Sequence, residues 1–261
     1  MTMDLFSQLV PISFTFVLVL VRVSFFLFFM PLVGTSIVPA PIKAALSLVL
    51  SLILAFSVPY PVEPPTEIYR FLLLIIPEAL LGFSLALVLR FIFAGIQLGG
   101  ELVGMQIGFG VAQVIDPVTG VQSPVLAQLT YLTAFLLFLT FNLHHPFILA
   151  LGESLKHFPP GSLGLNSKIF LFLVREGVTL FVISFKILAP LLAIMFLVQL
   201  ALGIVSRFVP QINIMLVSFP LTMGVGLFFF GLTLMLIPKV LSPAFARAVG
   251  LFPTILKSFG S

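Results

Sequence analysis

Residues 71–93 read FLLLIIPEALLGFSLALVLRFIF, and the only charges in the stretch are Glu78 and Arg90. An apolar run of about 18 residues or more with so few charges is long enough to cross a bilayer. A segment in lipid must satisfy its own backbone hydrogen bonds, so the reading is a helix. Working outward, comparable runs fall at 5–30, 42–58, 125–151, 169–206 and 212–237. No ten-residue alternation of polar and apolar residues speaks for a barrel. Hydrophobic residues make up 61% of the 261-residue chain and charged residues 8%, and the mean hydropathy is +1.31. A soluble domain carries about 25% charged residues. The expected fold is an all-α integral membrane protein with about six hydrophobic helical segments, some long or broken, arranged as helical hairpins.

The segments are unequal. Residues 42–58 make about 25 Å of helix and 169–206 about 57 Å. The longer run is a hairpin, a helix broken at Pro190, or a helix projecting beyond the bilayer. Prolines mark the joins at Pro31, Pro39 and Pro41, in PYPVEPP (59–65) and in HFPPGSLG (157–164). The N-terminus has no basic region of a cleaved signal peptide, so the first segment is expected to stay in the mature protein. The last 24 residues carry Lys239, Arg247 and Lys257 and no acid. The positive-inside rule puts this tail in the cytoplasm. If all six segments cross, Arg70, Lys156 and Lys168 fall on the same side.

Arg22, Glu78, Arg90 and Lys186 are read as buried charges, with Arg175 and Glu176 also in or beside apolar runs. Each charge at a bilayer centre costs about 2.5–3.5 kcal/mol on insertion scales. They therefore pair, snorkel, or face water or another subunit. Arg90 and Glu176 lie near segment ends, where snorkelling is easy. A proton or ion pathway and a set of structural ion pairs both fit. NLHHPF (142–147) invites a metal reading, but adjacent helical residues do not face the same way. There is no cysteine, and no P-loop, G-x-S-x-G or H-E-x-x-H motif. No catalytic residue, metal or cofactor is expected, and no nucleic acid partner.

After residue 93 the character changes. Gly95 and Gly99 are four apart, as are Gly100, Gly104 and Gly108, which puts small residues on a helix face and lets another backbone approach. Then Gly110 and Gly120 bracket VAQVIDPVTG, in which Pro117 fixes φ and Gly120 is free to take positive φ. Gln113, Asp116 and Gln122 add polarity. Met105, Ile107 and Phe109, then Val111, Val114 and Ile115, interleave apolar groups. Irregular backbone at membrane depth is tolerated where it is buried in protein or lines a cavity. This segment either lines or plugs a passage inside an assembly, or is a long extramembrane loop.

GMQIGFGVAQVIDPVTGVQSPVLAQ (104–128), LLFLTFNLHHPFILALGES (136–154) followed by FPPGSL (158–163), and ALGIVSRFVPQINIMLVSFPLTMGVGLFF (201–229) together resemble the FliR family. These are R-type inner-membrane export-gate proteins of bacterial flagella, related to components of virulence injectisomes. VLVRVSFFLFFMPLVGTSIVPAPIKAALSLVLS (19–51) is similar too, so the resemblance covers essentially the whole chain. RFVPQINIMLVSFPL (207–221) also looks like the loop of the small Q-type subunit.

The resemblance implies one membrane-embedded export-gate domain over 1–261, with a P-like part (about 1–165) and a Q-like part (166–261) bearing the basic tail. It implies packing with P-type and Q-type membrane subunits, and work beside export-switch and export-ring membrane proteins. Unfolded flagellar proteins would pass through the channel at the bacterial inner membrane, in the flagellar basal body. By position, Met105, Ile107, Phe109, Gly110, Val111 and Gln113 would form the plug together with Val114, Ile115, Asp116, Pro117, Gly120 and Gln122. Gly95, Gly99, Gly100, Gly104 and Gly108, with Arg207, Gln211 and Asn213, are expected in subunit packing. The alternatives are a small-solute secondary transporter and the equivalent subunit of a virulence injectisome.

Overall fold

The computed structural model describes residues 2–34, 38–58, 62–109, 125–162, 164, 166–209 and 214–259. Among them every regular element is a helix: α1 (Thr2–Phe29), α2 (Ala40–Ala55), α3 (Ile68–Ile107), α4 (Val125–Thr140), α5 (His144–His157), α6 (Ser167–Phe208), α7 (Ile214–Gly250) and α8 (Phe252–Phe259). Four stretches are long and apolar enough to cross a membrane: Leu9–Phe29, Ile68–Ile107, Ser167–Phe208 and Val217–Phe259. A fifth is possible if α4 and α5 together make one broken span.

The helices differ from the hydrophobic runs at particular residues. α3 extends the 71–93 run in both directions to 40 residues, because a glycine-spaced stretch in an apolar setting keeps its backbone bonds by staying helical. The 125–151 run is two helices. The chain breaks at residues 141–143, where Asn142 adopts a φ of 52°, a left-handed conformation that asparagine tolerates better than most residues. The 169–206 run is neither a hairpin nor broken. α6 is continuous over 42 residues with Pro190 inside it, about 63 Å of helix. α2 starts where the prolines predict, with Pro39 as its N-cap and Pro41 in the first turn, where a missing N–H is no loss.

The chain folds as two compact units. The first comprises residues 1–91, 142–177 and 245–261. In it α1 buries Leu18, Val19, Val23 and Phe26, α3 buries Leu81 and Leu85, and α5 buries Phe147, Leu151 and Leu155. These spacings of three and four residues make continuous helix faces. α8 closes the unit with Phe252, Ile255 and Phe259 inside, and Phe252 meets Phe147 edge-on at 4.8 Å. The Thr15 hydroxyl accepts a hydrogen bond from the Val62 N–H at 2.6 Å, tying the proline-rich connection to α1. The second unit comprises residues 92–141 and 178–244. Its core is Val103, Ile107, Leu126, Leu188, Leu191, Met195 and Phe230.

Candidate functional site

In the second unit the glycines of α3 are places of close backbone approach. A Cβ at Gly95 would stand 2.6 Å from the Leu180 carbonyl oxygen, and one at Gly99 would stand 3.3 Å from that of Ser184. Both neighbours lie on α6. Ser184 fastens the same contact, its hydroxyl donating to the Gly95 carbonyl at 2.7 Å. Gly100 points elsewhere: a Cβ there would strike the Thr130 hydroxyl oxygen and lie 2.6 Å from the Ala127 Cα, both on α4. Residues 95 and 99 share a face and 100 sits about 100° away, so α3 carries a notch for each neighbour. These three glycines thus pack against helices of their own chain. Gly104 is also buried.

The helix ends at a defined point. Gly108 has φ of +104°, a conformation open to glycine and strained for other residues. Just before it, Ile107 is fully buried and presses on α7, where a Cβ at Gly226 would lie 2.5 Å from Ile107 Cγ1. Phe109 packs against the edge of the same core, while Met105 is 58% exposed. The remaining expected plug residues, Gly110, Val111, Gln113, Val114, Ile115, Asp116, Pro117, Gly120 and Gln122, lie outside the described residues, as do Gln211 and Asn213. Arg207 is exposed in the last turn of α6.

Of the four charges read as buried, two are buried within the chain itself. Arg22 and Glu78 have no exposed surface. Arg22 Nε donates to Glu78 Oε2 at 2.6 Å, Nη1 to the Ser154 hydroxyl at 3.2 Å and Nη2 to the Phe158 carbonyl at 3.1 Å. The second carboxylate oxygen accepts the Gly161 N–H at 2.8 Å. A turn beyond Glu78, Gly82 lets α3 press on the Arg22 carbonyl. One ion pair thus joins α1, α3, α5 and the FPPGSL turn, with enough hydrogen bonds to offset desolvation of the charges.

Arg90 and Lys186 lie on the surface of the single chain. Arg90 shares an outer stripe of α3 with Gln97, and its guanidinium lies 5.8 Å from the Phe29 ring centre. Lys186 lies off the seam formed by Ile183, Ile187, Leu188 and Leu191. Glu176, at 4% exposure, holds Arg247 through both carboxylate oxygens at 2.9 and 3.1 Å. That pair joins α6 to the end of α7. The apolar runs gave no hint of it, because its members are 71 residues apart.

The second unit also exposes apolar surface that water would not cover cheaply. On α6, Phe181, Phe185, Phe196 and Leu197 are 57–64% exposed, and on α7 Phe228 and Met235 are 65% and 73% exposed. Patches of this kind mark contact with lipid or with other proteins.

Residues 13–248 match the model of the family described as bacterial export proteins, family 1. Relatives named flagellar biosynthetic protein FliR include those of three distant bacteria. The one from Bacillus subtilis is 34% identical over 84% of this chain and 86% of its own. The Escherichia coli protein is 31% identical over 87% of this chain and 86% of its own. That of Aquifex aeolicus is 33% identical over 92% of this chain and 93% of its own.

Proposed function

The chain belongs to family 1 of the bacterial export proteins, and on that premise we propose that it is a core structural and gating subunit of the flagellar protein-export channel. It is a component of an export apparatus and not an enzyme. P-type and Q-type membrane subunits cover the exposed apolar faces of α6 and α7, with residues 1–165 forming a P-like part and 166–261 a Q-like part. Export-switch and export-ring membrane proteins work beside it, and unfolded flagellar proteins pass through the assembly. The complex sits in the inner membrane at the flagellar basal body, with the basic C-terminal tail in the cytoplasm.

The observation that supports a gating role is the fixed end of α3. Ile107 is wedged at Gly226 and Gly108 turns the chain out of the helix, so the segment from Phe109 starts from an anchored point. We assign the plug to residues 109–123, with Met105 and Ile107 at its base. Gly104, Gly108, Arg207, Gln211 and Asn213 are assigned to packing between subunits, alongside the contacts Gly95, Gly99 and Gly100 make within the chain. The test is native mass spectrometry of the tagged chain extracted gently from its own membranes. One copy with several copies of two other small membrane proteins supports the assignment. A chain that flies alone, under conditions that preserve other complexes, overturns it and favours a self-sufficient transporter.

A further inference from the structure

In the first unit a cavity of about 290 Å³ opens between α5 and α8. Its floor is apolar, made by Ala150, Phe158, Phe252 and Leu256, and its rim carries Glu153, His157 and Lys257. The size is just under the roughly 300 Å³ at which small-molecule sites begin. Glu153 and His157 stand one turn apart on α5, and Lys257 comes from α8. All three are exposed, and among the described residues no side chain of the three makes a hydrogen bond or ion pair. An apolar recess rimmed by the unpaired side chains of a carboxylate, an imidazole and an ammonium fits a ligand with an apolar body and a headgroup carrying both charges.

We infer that this cavity binds a phospholipid and selects a phosphoethanolamine headgroup. The phosphodiester sits by Lys257 and His157, the ammonium by Glu153, and the start of an acyl chain covers the floor. A membrane lipid fits better than a peptide because of where the site lies. Lys156 and His157 close α5 and Lys257 closes α8, and such basic clusters at the ends of apolar elements meet headgroups at the bilayer surface. An anionic headgroup without an amine would leave Glu153 facing a phosphate. Phe158 also ties the site to the buried ion pair, since its carbonyl accepts from Arg22 and the same residue lines the cavity. A bound lipid therefore braces that network. The inference is independent of the export assignment.

The test uses the full chain in phosphatidylcholine nanodiscs doped with either phosphatidylethanolamine or phosphatidylglycerol, then released for native mass spectrometry. Phosphatidylethanolamine is expected to be retained several-fold over phosphatidylglycerol and to raise the melting temperature. Glu153→Lys should reverse the preference, and Ala150→Phe, which fills the floor, should abolish retention. If Glu153→Lys does not fold, Glu153→Gln must still reduce the preference. Equal retention of the two lipids, or a preference indifferent to Glu153, overturns the inference. Displacement of the lipid by soluble glycerophosphoethanolamine, which has no acyl chain, overturns the part assigned to the floor.

Discussion

Arg22 and Glu78 meet at 2.6 Å with no exposed surface on either side chain, and their other polar groups are engaged by Ser154 of α5 and by the turn that follows it. The guanidinium needs acceptors at Ser154 and Phe158, and the carboxylate needs the Gly161 donor. The pair therefore has a polarity as well as a partner. Single removals such as Arg22→Leu or Glu78→Leu leave a buried charge behind, a loss of about 3–5 kcal/mol. Arg22→Leu/Glu78→Leu should be milder than either single change. The exchange Arg22→Glu/Glu78→Arg should not rescue, because it turns a carboxylate on the Phe158 carbonyl. Thermal unfolding of the four variants in detergent checks the order. A rescued exchange would mean that the turn contributes nothing.

The glycines of α3 should rank by the room their neighbours leave. Gly95→Ala and Gly100→Ala force backbone or near-backbone atoms apart, and overpacking of this kind costs about 1–3 kcal/mol. Gly99→Ala, whose Cβ would stand 3.3 Å from the Ser184 carbonyl oxygen, tight but not a clash, should be the mildest. Ser184→Ala removes the bond to Gly95 and should cost about 0.6 kcal/mol, the mean for such bonds in a membrane protein. Unfolding midpoints in denaturant, compared across the four variants, give the ranking. Equal losses would remove the case for a notched helix.

Part of this architecture is legible in the sequence. Low charge and long apolar runs dictate membrane helices, and four-residue glycine spacing dictates a face for close packing. What lies against that face was not legible, because Ser184 is 89 residues from Gly95. Nor were the partners of Arg22, which stand 56, 132 and 136 residues away. Nor does hydropathy separate Arg22 and Glu78, which turn into the chain, from Arg90 and Lys186, which lie on its surface. It averages over all sides of a helix and cannot tell an inward position from an outward one. The expected plug at 110–122 lies outside the described residues, so its role rests on the family resemblance.

Ile107 and Gly226 make a size-matched pair that can be tested by exchange of volume. Ile107→Ala leaves a cavity in the core of the second unit, a loss of about 2–5 kcal/mol. Gly226→Ala drives a methyl into Ile107. The two together should cost less than their sum, since the added methyl enters the space that the isoleucine vacates. A double-mutant cycle on unfolding free energies measures the coupling. Strict additivity would show that the end of α3 is not seated there.

Glu176 and Arg247 offer a milder contrast to the first pair, because Arg247 is 56% exposed while Glu176 is 6% exposed at its side chain. Arg247→Ala should destabilise less than Arg22→Leu, and the effect should shrink as salt rises, since the guanidinium half of the pair is open to screening. Melting temperatures at low and high ionic strength test both points. A salt-independent loss as large as that of Arg22→Leu would mean that the pair is shielded in the assembled protein.

Removal of residues 110–120 tests the gate directly. The deletion spares Ile107, Gly108 and the core that holds them, so the export assembly should still form. If the segment closes the passage, cells carrying the shortened chain should leak small ions across the inner membrane and still yield the complex. Gly108→Ala should give a weaker version of the leak, because a non-glycine residue held at positive φ costs about 1–3 kcal/mol and shifts the start of the plug. Membrane conductance is read alongside native mass spectrometry of the complex. An intact complex with unchanged conductance would remove the plug from this segment, while loss of the complex would move the segment into subunit packing.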